Sequence, residues 1–486
     1  MEGFATMDSV RIGFVPSYRN GFSPWCQRMR DESLAALSAI KGVEWITPLV
    51  APENATDLAV GMTPHGAVRD LDQAESVADY FAAQKVQGLV LCPLDFGDER
   101  SAAKIAERLR LPVLLYATKE PPANDDSSLT RVSDSYCGNL SMASALHRRD
   151  IPFHYAGLFF PSEEALLRQL RHFCAAVAVV SSLRNARIGQ VGVRPATFET
   201  VAYDERAMVK QFGQNVIWAN LSDLVDEAQA YPDDDPELLK VMDGIRQSVA
   251  TISVSPEHVT QVARLELAYI RFWRENHLSA MTGQCWRSIL RMMGVSVCAM
   301  YGRLTQRGML TACENDVLGA LSMLCNHAAS MGQRLPHFVD WTIQHREKPD
   351  WLLAWHCGNA PPSLACDPSQ TALRSRYDMR GDRPVPAHDA QAGLYQFQLQ
   401  PGPVTFCRLA ECGGQWKMLI TEGRIMPSDE TLAGTWAWVQ VRDHARLYRT
   451  LVEEGFIHHA SMIHGDQREP LKLACKFLDI QPVLVD

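Results

Sequence analysis

Glu314 and Asp340, two acidic residues set among apolar neighbours, and a histidine-rich segment near the C-terminus have the residue types most suited to chemistry in this sequence. Glu314 lies in Cys313-Glu314-Asn315-Asp316, between an apolar segment (residues 295–300) and a helical stretch (317–324). Asp316, immediately ahead of that helix, fits the role of N-cap, which leaves Glu314 as the more informative acid. Asp340 closes the short run His337-Phe338-Val339-Asp340-Trp341. Strand ends in α/β proteins present side chains to a crevice, although taken alone Asp340 reads as a turn residue. His356 stands in Leu352-Leu353-Ala354-Trp355-His356-Cys357-Gly358-Asn359, an apolar strand followed by a turn. A lone histidine there is more often a satisfied core residue than a ligand. Residues 455–466 bring His458, His459, His464 and Asp466 together beyond a helical stretch at 443–454. Neighbours on a strand point to opposite faces, so one of His458 and His459 is the candidate ligand, not both.

Carboxylate oxygens with one or two imidazoles suit Mn²⁺ or Mg²⁺, and also Co²⁺ or Zn²⁺, while the tight Cys and His spacing of a structural zinc site is absent. Other chemistries are disfavoured. The acidic stretch 231–237 reads as a solvated turn and N-cap. The turn Arg194-Pro195-Ala196-Thr197-Phe198 after Val193 lacks the glycine fingerprint that admits a pyrophosphate, which removes most support for a dinucleotide. A net charge of -9 disfavours a phosphate backbone, so no nucleic-acid partner is expected.

Such distant side chains can meet only if the elements between them fold compactly. A chain of 486 residues, 47% hydrophobic and 21% charged, has the composition of a globular protein of two to four domains. Short apolar runs at 11–16, 43–50, 86–93 and 111–116 alternate with helical stretches at 31–40, 74–84 and 102–109, the rhythm of βαβ units and a parallel sheet. Residues 120–134 have loop chemistry. A long helix from 162 leads to a strand at 186–193, and helices follow at 221–230, 236–249, 256–276 and 285–293. From about 351 the texture alternates polar and apolar. Residues 394–400, 404–409 and 415–420, punctuated by Pro401-Gly402-Pro403 and Gly413-Gly414, read as successive antiparallel strands and hairpins. The first ten residues lack an export signal, and the longest apolar stretch (173–180) is too short to span a membrane, so a cytoplasmic protein with no membrane partner is expected. The thirteen cysteines lack a disulfide framework and read mostly as free thiols in a reducing compartment.

Several short words occur in the order seen in the L-fucose and L-arabinose isomerase superfamily, which the chain resembles over essentially its whole length. They are Gly192-Val193-Arg194 with Asp204-Glu205 and Phe212-Gly213, Gly283-Gln284-Cys285-Trp286, Ala312-Cys313-Glu314-Asn315-Asp316, Phe338-Val339-Asp340, His356-Cys357-Gly358, and His458-His459 with His464-Gly465-Asp466. The resemblance implies metal ligation by Glu314, Asp340 and His459, with His356 at the position of a fourth ligand in the arabinose branch. An aspartate as second carboxylate matches the fucose branch, whereas the chain length is closer to the arabinose branch. Gln284, Arg194, Trp286, Asn359 and His458 are the expected substrate contacts, with Mn²⁺ or another divalent cation as cofactor and a trimer or hexamer as the assembly.

The expected architecture is α/β: two Rossmann-like parallel-sheet domains, residues 1–185 and 186–345, followed by a C-terminal antiparallel β-barrel-like domain, residues 346–486, carrying the metal-binding histidine. The expected activity is aldose–ketose isomerisation of a monosaccharide (a pentose, a 6-deoxyhexose or a related sugar) through a cis-enediol, with Glu314 and Asp340 sharing acid and base roles. The alternatives are an isomerase of an acidic modified sugar, for which Arg19, Arg28 and Arg30 offer cations, and a sugar-binding or regulatory protein that keeps the fold without turnover.

Overall fold

The structure, a computed structural model, describes residues 9–53, 55, 57–121, 132–285, 288–375 and 392–485. Trp286 and residues 122–131 of the expected 120–134 loop lie outside the described residues. The chain folds as two compact units, Asp8–Ser181 and Ser182–Asp486.

The first unit carries β1 (Val10–Ser17), α1 (Pro24–Ser38), β2 (Val43–Ile46), α2 (Leu71–Ala83), β3 (Gly88–Pro93), α3 (Glu99–Leu109), β4 (Val113–Thr118), α4 (Ser135–His147), β5 (Phe153–Phe159) and α5 (Glu164–Leu183). Its five strands pair in parallel in the order β2-β1-β3-β4-β5. Every residue of β3 and β4 is buried, as helices on both faces of a parallel sheet require. Such strands read as continuous apolar runs. The side chains of Ser23, Asp70 and Asp98 accept from the first-turn N–H groups of α1, α2 and α3, which sets where those helices begin.

The second unit opens with a four-stranded parallel sheet: β6 (Arg187–Val191), β7 (Asn215–Ala219), β8 (Ala280–Gly283) and β9 (Thr311–Cys313), ordered β9-β8-β6-β7. Its helices are α6 (Glu205–Phe212), α7 (Leu221–Ala230), α8 (Pro236–Gln247), α9 (Pro256–Glu275), α10 (Ser288–Met293), α11 (Cys298–Gln306) and α12 (Val317–Ala329). The acidic stretch before α8 does act as a cap, with Asp235 accepting from Glu237 N–H and Leu238 N–H.

A ten-stranded mixed sheet follows, built from Thr251–Ile252, β10 (Pro336–Gln344), β11 (Trp351–His356), β12 (Ala372–Ser375), β13 (Ala392–Gln398), β14 (Gly402–Cys412), β15 (Gln415–Ile425), β16 (Thr435–Gln440), β17 (His459–His464) and β18 (Gln481–Val485). After Thr251–Ile252 the order is β12-β13-β16-β11-β10-β17-β14-β15-β18, and β15 also pairs with β16. Gly413 and Gly414, both at positive φ, close the β14–β15 hairpin as their turn chemistry predicts. The hairpin expected at Pro401-Gly402-Pro403 does not form: β13 pairs with β12 and β16, and β14 pairs with β15 and β17. Two prolines in three residues withhold the N–H groups a ladder across that turn would need. Helices α13 (His444–Glu453) and α14 (Arg468–Leu478) complete the unit.

Helix α12 positions the site. All thirteen of its residues are buried, and it packs against β8 and β9 as well as β10, β14 and β17, as a helix apolar on every face must. Its few polar groups join it to the mixed sheet. Asn326 Nδ2 donates to the backbone oxygen and Oγ of Ser461 on β17, both at 3.0 Å, and Ser322 Oγ accepts Leu409 N–H of β14 at 2.8 Å. Gly319 permits the closest approach, because a Cβ there would stand 2.5 Å from the Phe338 ring and 2.6 Å from the Asp316 carboxylate. Gly319→Ala therefore costs about 2 kcal/mol of stability through overpacking, measured by urea unfolding; a neutral or stabilising result would show that this packing yields easily.

Candidate metal and active site

β9 ends at Cys313, and the chain turns into α12 through two consecutive left-handed residues, Glu314 (φ 62°) and Asn315 (φ 56°). Asparagine visits that region routinely. For glutamate it stores roughly 1–3 kcal/mol of strain, which the surrounding structure must hold in place. Asp316 then caps α12, accepting Gly319 N–H at 2.8 Å. Asp340 lies on β10 between two neighbours, opposite Trp355 of β11 and His459 of β17. His356 is the last residue of β11 and His459 the first of β17.

These elements converge on the imidazole of His459, which is wholly buried. Its Nε2 lies 3.0 Å from Glu314 Oε2 and 3.6 Å from Asp340 Oδ1, while its Nδ1 lies 2.9 Å from Asp316 Oδ2. Two sets of potential ligand atoms, each mutually within 4.8 Å, share this ring: Glu314, His458 and His459 in one, and Asp340, His356 and His459 in the other. Glu314 and Asp340 therefore belong to separate sets joined by one histidine. His458 precedes β17, so strand alternation does not govern it, and its ring centroid is 4.1 Å from that of His459. Phe198 and Phe338 flank the group, with centroids 6.2 and 4.8 Å from His459.

The buried atoms here without a hydrogen-bond partner include Asp340 Oδ1 and His356 Nε2. Buried polar atoms are rarely left so, and an oxygen and a nitrogen orphaned beside a carboxylate–imidazole cluster suit a divalent cation. His356 Nδ1 accepts Cys357 N–H at 2.9 Å. The neutral ring then carries its proton on Nε2, and an ion taken up there must displace it.

Burial alone would lower the basicity of His459, yet its hydrogen bonds to Asp316 and Glu314, with the charges of Asp316 and Asp340, raise its pKa to about 9. Burial alone would raise Asp316, but Arg408 and His459 hold it well below the usual carboxylate range. Burial and the charge of His459 lower His458. Without metal, His459 is thus an imidazolium at neutral pH. Its folded value exceeds the unfolded one, so its stabilisation is complete below pH 6.5 and lost as pH rises through about 9. In chelator-treated protein the melting temperature falls across that interval, and His459→Gln removes the slope; a flat profile in the unaltered protein would contradict the raised value.

Of the expected substrate residues, Gln284 is part-buried, accepting Val193 N–H through Oε1 (3.2 Å) and donating to Ser288 Oγ (3.0 Å). Arg194 is exposed in the turn after β6. Asn359 is buried, its Oδ1 paired with His337 Nε2 at 3.1 Å. His464 and Asp466 are engaged elsewhere, on the Gln400 carbonyl and on Arg468.

Arg408 and the second role of Asp316 escaped the sequence reading. Asp316 is both helix cap and outer carboxylate of the carboxylate–histidine pair that fixes which His459 nitrogen faces the site. Arg408, buried on β14, grips both Asp316 oxygens, with Nη2–Oδ1 at 3.1 Å. One signal for Arg408 was present: a single cation within the apolar run 404–409 demands a buried anion. Arg408→Ala strands the Asp316 charge and lowers stability by about 3 kcal/mol, read from denaturant unfolding; a loss below about 1 kcal/mol would mean that the cap and His459 suffice.

Comparison with known proteins identifies the family. The domain family described as "Fucose/sulfoquinovose isomerase, N-terminal domain" matches residues 26–184, and "L-fucose isomerase, C-terminal domain" matches residues 354–485. A sulfoquinovose isomerase of Priestia aryabhattai is 23% identical over 482 residues, 98% of this chain and 99% of the relative. Those of Alkalicoccus urumqiensis and Clostridium sp. (strain MSTE9) are 24% and 25% identical, covering 82% and 81% of this chain and 86% and 85% of their own. A periplasmic solute-binding protein from Actinobacillus succinogenes with bound D-allose aligns at TM-score 0.18 and 11% identity over 66% of this chain and 92% of that one, a likeness too slight to carry an argument. With both terminal domains matched and relatives aligned nearly end to end, the chain belongs to the L-fucose isomerase family of sugar isomerases, in the fucose/sulfoquinovose group.

Proposed function

We propose that this protein is a divalent-metal-dependent aldose–ketose isomerase whose substrate is a sugar bearing an acidic group, with sulfoquinovose the first to test. The observation that carries the reading is the meeting of Glu314 and Asp340 on one nitrogen of a buried histidine whose other nitrogen is held by Asp316. Glu314, Asp340 and His459 would hold the ion, with His356 and His458 beside them. When bound, a divalent cation supplies Lewis acidity to the carbonyl oxygen and neighbouring hydroxyl of the open-chain sugar.

The chain's own groups do the rest. Isomerisation removes a proton from C2 and returns one to C1 through a cis-enediol, while a hydroxyl proton passes from O2 to O1. Glu314 and Asp340 supply the bases and acids for these transfers. The strained backbone at Glu314 and the hydrogen bonds of Asp316 hold the carboxylate and imidazole in register before substrate arrives. His458, whose basicity partial desolvation and the charge of His459 lower, is suited to hydrogen-bonding a sugar hydroxyl.

An acidic substrate is supported by the names of the relatives. Arg19, Arg28 and Arg30, in the first unit, already pair with Glu99, Glu32 and Asp31. Arg194, by contrast, is exposed in the turn that also carries Phe198.

Incubation of the protein with Mn²⁺ and a panel of sulfoquinovose, aldopentoses and 6-deoxyhexoses, read by NMR for ketose formation, tests the reading. Chelator should abolish conversion and Mn²⁺ restore it. Glu314→Gln should lower kcat by about a thousandfold while the circular dichroism spectrum is unchanged. Near-normal turnover in that variant removes Glu314 from the mechanism, and conversion of neutral sugars alone removes the acidic substrate.

A further inference from the structure

The segment His464-Gly465-Asp466 belongs to the family resemblance yet takes no part in the cluster around His459. His464 ends β17, five residues and roughly 17 Å from His459 at its start. There it lines a groove of about 410 Å³ formed by the end of β17, the chain entering β10, the turn Pro362–Leu364 and the link from β13 to β14. Sites for small molecules have volumes of about 300–1,000 Å³.

The chemistry of this groove is one-sided. Arg334 and His464 line it and no carboxylate does, in a chain whose 56 acids outnumber its 47 lysines and arginines. The Arg334 guanidinium has no ion-pair partner among the described residues, and the Gln333 amide and Ser363 hydroxyl make no side-chain hydrogen bond among them. Three segments thus bring donors to the groove that the protein itself does not use. The wall is also fixed in place. His464 Nε2 donates to the Gln400 carbonyl at 2.9 Å. Thr405 Oγ1 donates to the Gly465 carbonyl at 2.8 Å and accepts Gln467 N–H at 2.9 Å, which pins the turn after β17. Gly465, at φ 95°, gives Arg334 its seat: an added Cβ there would stand 3.3 Å from Arg334 Nε. A merely solvated surface arginine needs no such seat.

We propose that this groove binds a small polyhydroxylated molecule bearing a phosphate or sulfonate group, with Arg334 gripping the oxyanion and Ser363 and Gln333 donating to its remaining oxygens or to its hydroxyls. A guanidinium presents parallel N–H groups to two oxygens at once, and the further donors suit the third oxygen of a tetrahedral group. The volume left beyond a bare oxyanion takes the carbon frame. This site lies at the opposite end of β17 from the His459 cluster, so the two are filled independently.

Phenylglyoxal labelling of the full-length protein in chelator, quantified at each arginine by peptide mass spectrometry, tests this with glucose 6-phosphate, sulfoquinovose and glucose as probes. Arg334 should be protected by the phosphate, the sulfonate or both, and not by glucose, while Arg246, an exposed arginine of the same unit, reacts equally throughout. Protection by one anion alone assigns the site to that group. By calorimetry, Arg334→Gln should weaken binding of the protecting anion at least about tenfold, with an unchanged melting temperature because the side chain is exposed. Equal protection by glucose, protection by none of the probes, or unaltered affinity in Arg334→Gln overturns the site. None of these readouts depends on whether the protein isomerises a sugar.

Discussion

A fully buried imidazole ringed by carboxylates is the constraint on which the second unit of this protein is organised. His459 has Asp316 on one nitrogen and Glu314 and Asp340 on the other, and Arg408 neutralises Asp316 from behind. Remove Arg408 and the buried charge of Asp316 is left with a weaker answer, which is more costly than forgoing the pair altogether. With His459 protonated, two cations face three carboxylates, so the balance is net negative. On the Nε2 side, the imidazolium proton stands between two carboxylates in the direction from which a dipositive ion would be shared.

That balance is possible because α12 is held between two sheets. Its N-terminal turn delivers Glu314 and Asp316 from the end of β9, and its buried Asn326 and Ser322 fix β17 and β14 against it, bringing His459 and Arg408 to the same place. The parallel sheet contributes the acids that follow β9. The mixed sheet contributes Asp340, His356, His459 and Arg408. Neither sheet carries a complete donor set.

Much of this protein is readable from local chemistry. The central strands of the first unit are legible because two covered faces leave them continuously apolar, and α1, α2 and α3 begin where Ser23, Asp70 and Asp98 cap them. Asp316 is legible as a cap, and the Gly413-Gly414 hairpin by its turn residues. Glu314, Asp340, His356 and His459 stand out as polar groups in apolar surroundings, and family resemblance assembles them into one expected site. What local chemistry does not contain is pairing between distant segments. β14 pairs with β15 and β17, not with the strand that precedes it, and β11 lies between β10 and β16. Those pairings alone bring Arg408 and His459 to Asp316, 92 and 143 residues away. Sequence determines which residues must be buried and which need a partner, because burial and hydrogen bonding are local demands. Which partner each one finds is decided by strand register and helix packing, because those contacts are long-range and exist only once the whole unit has closed.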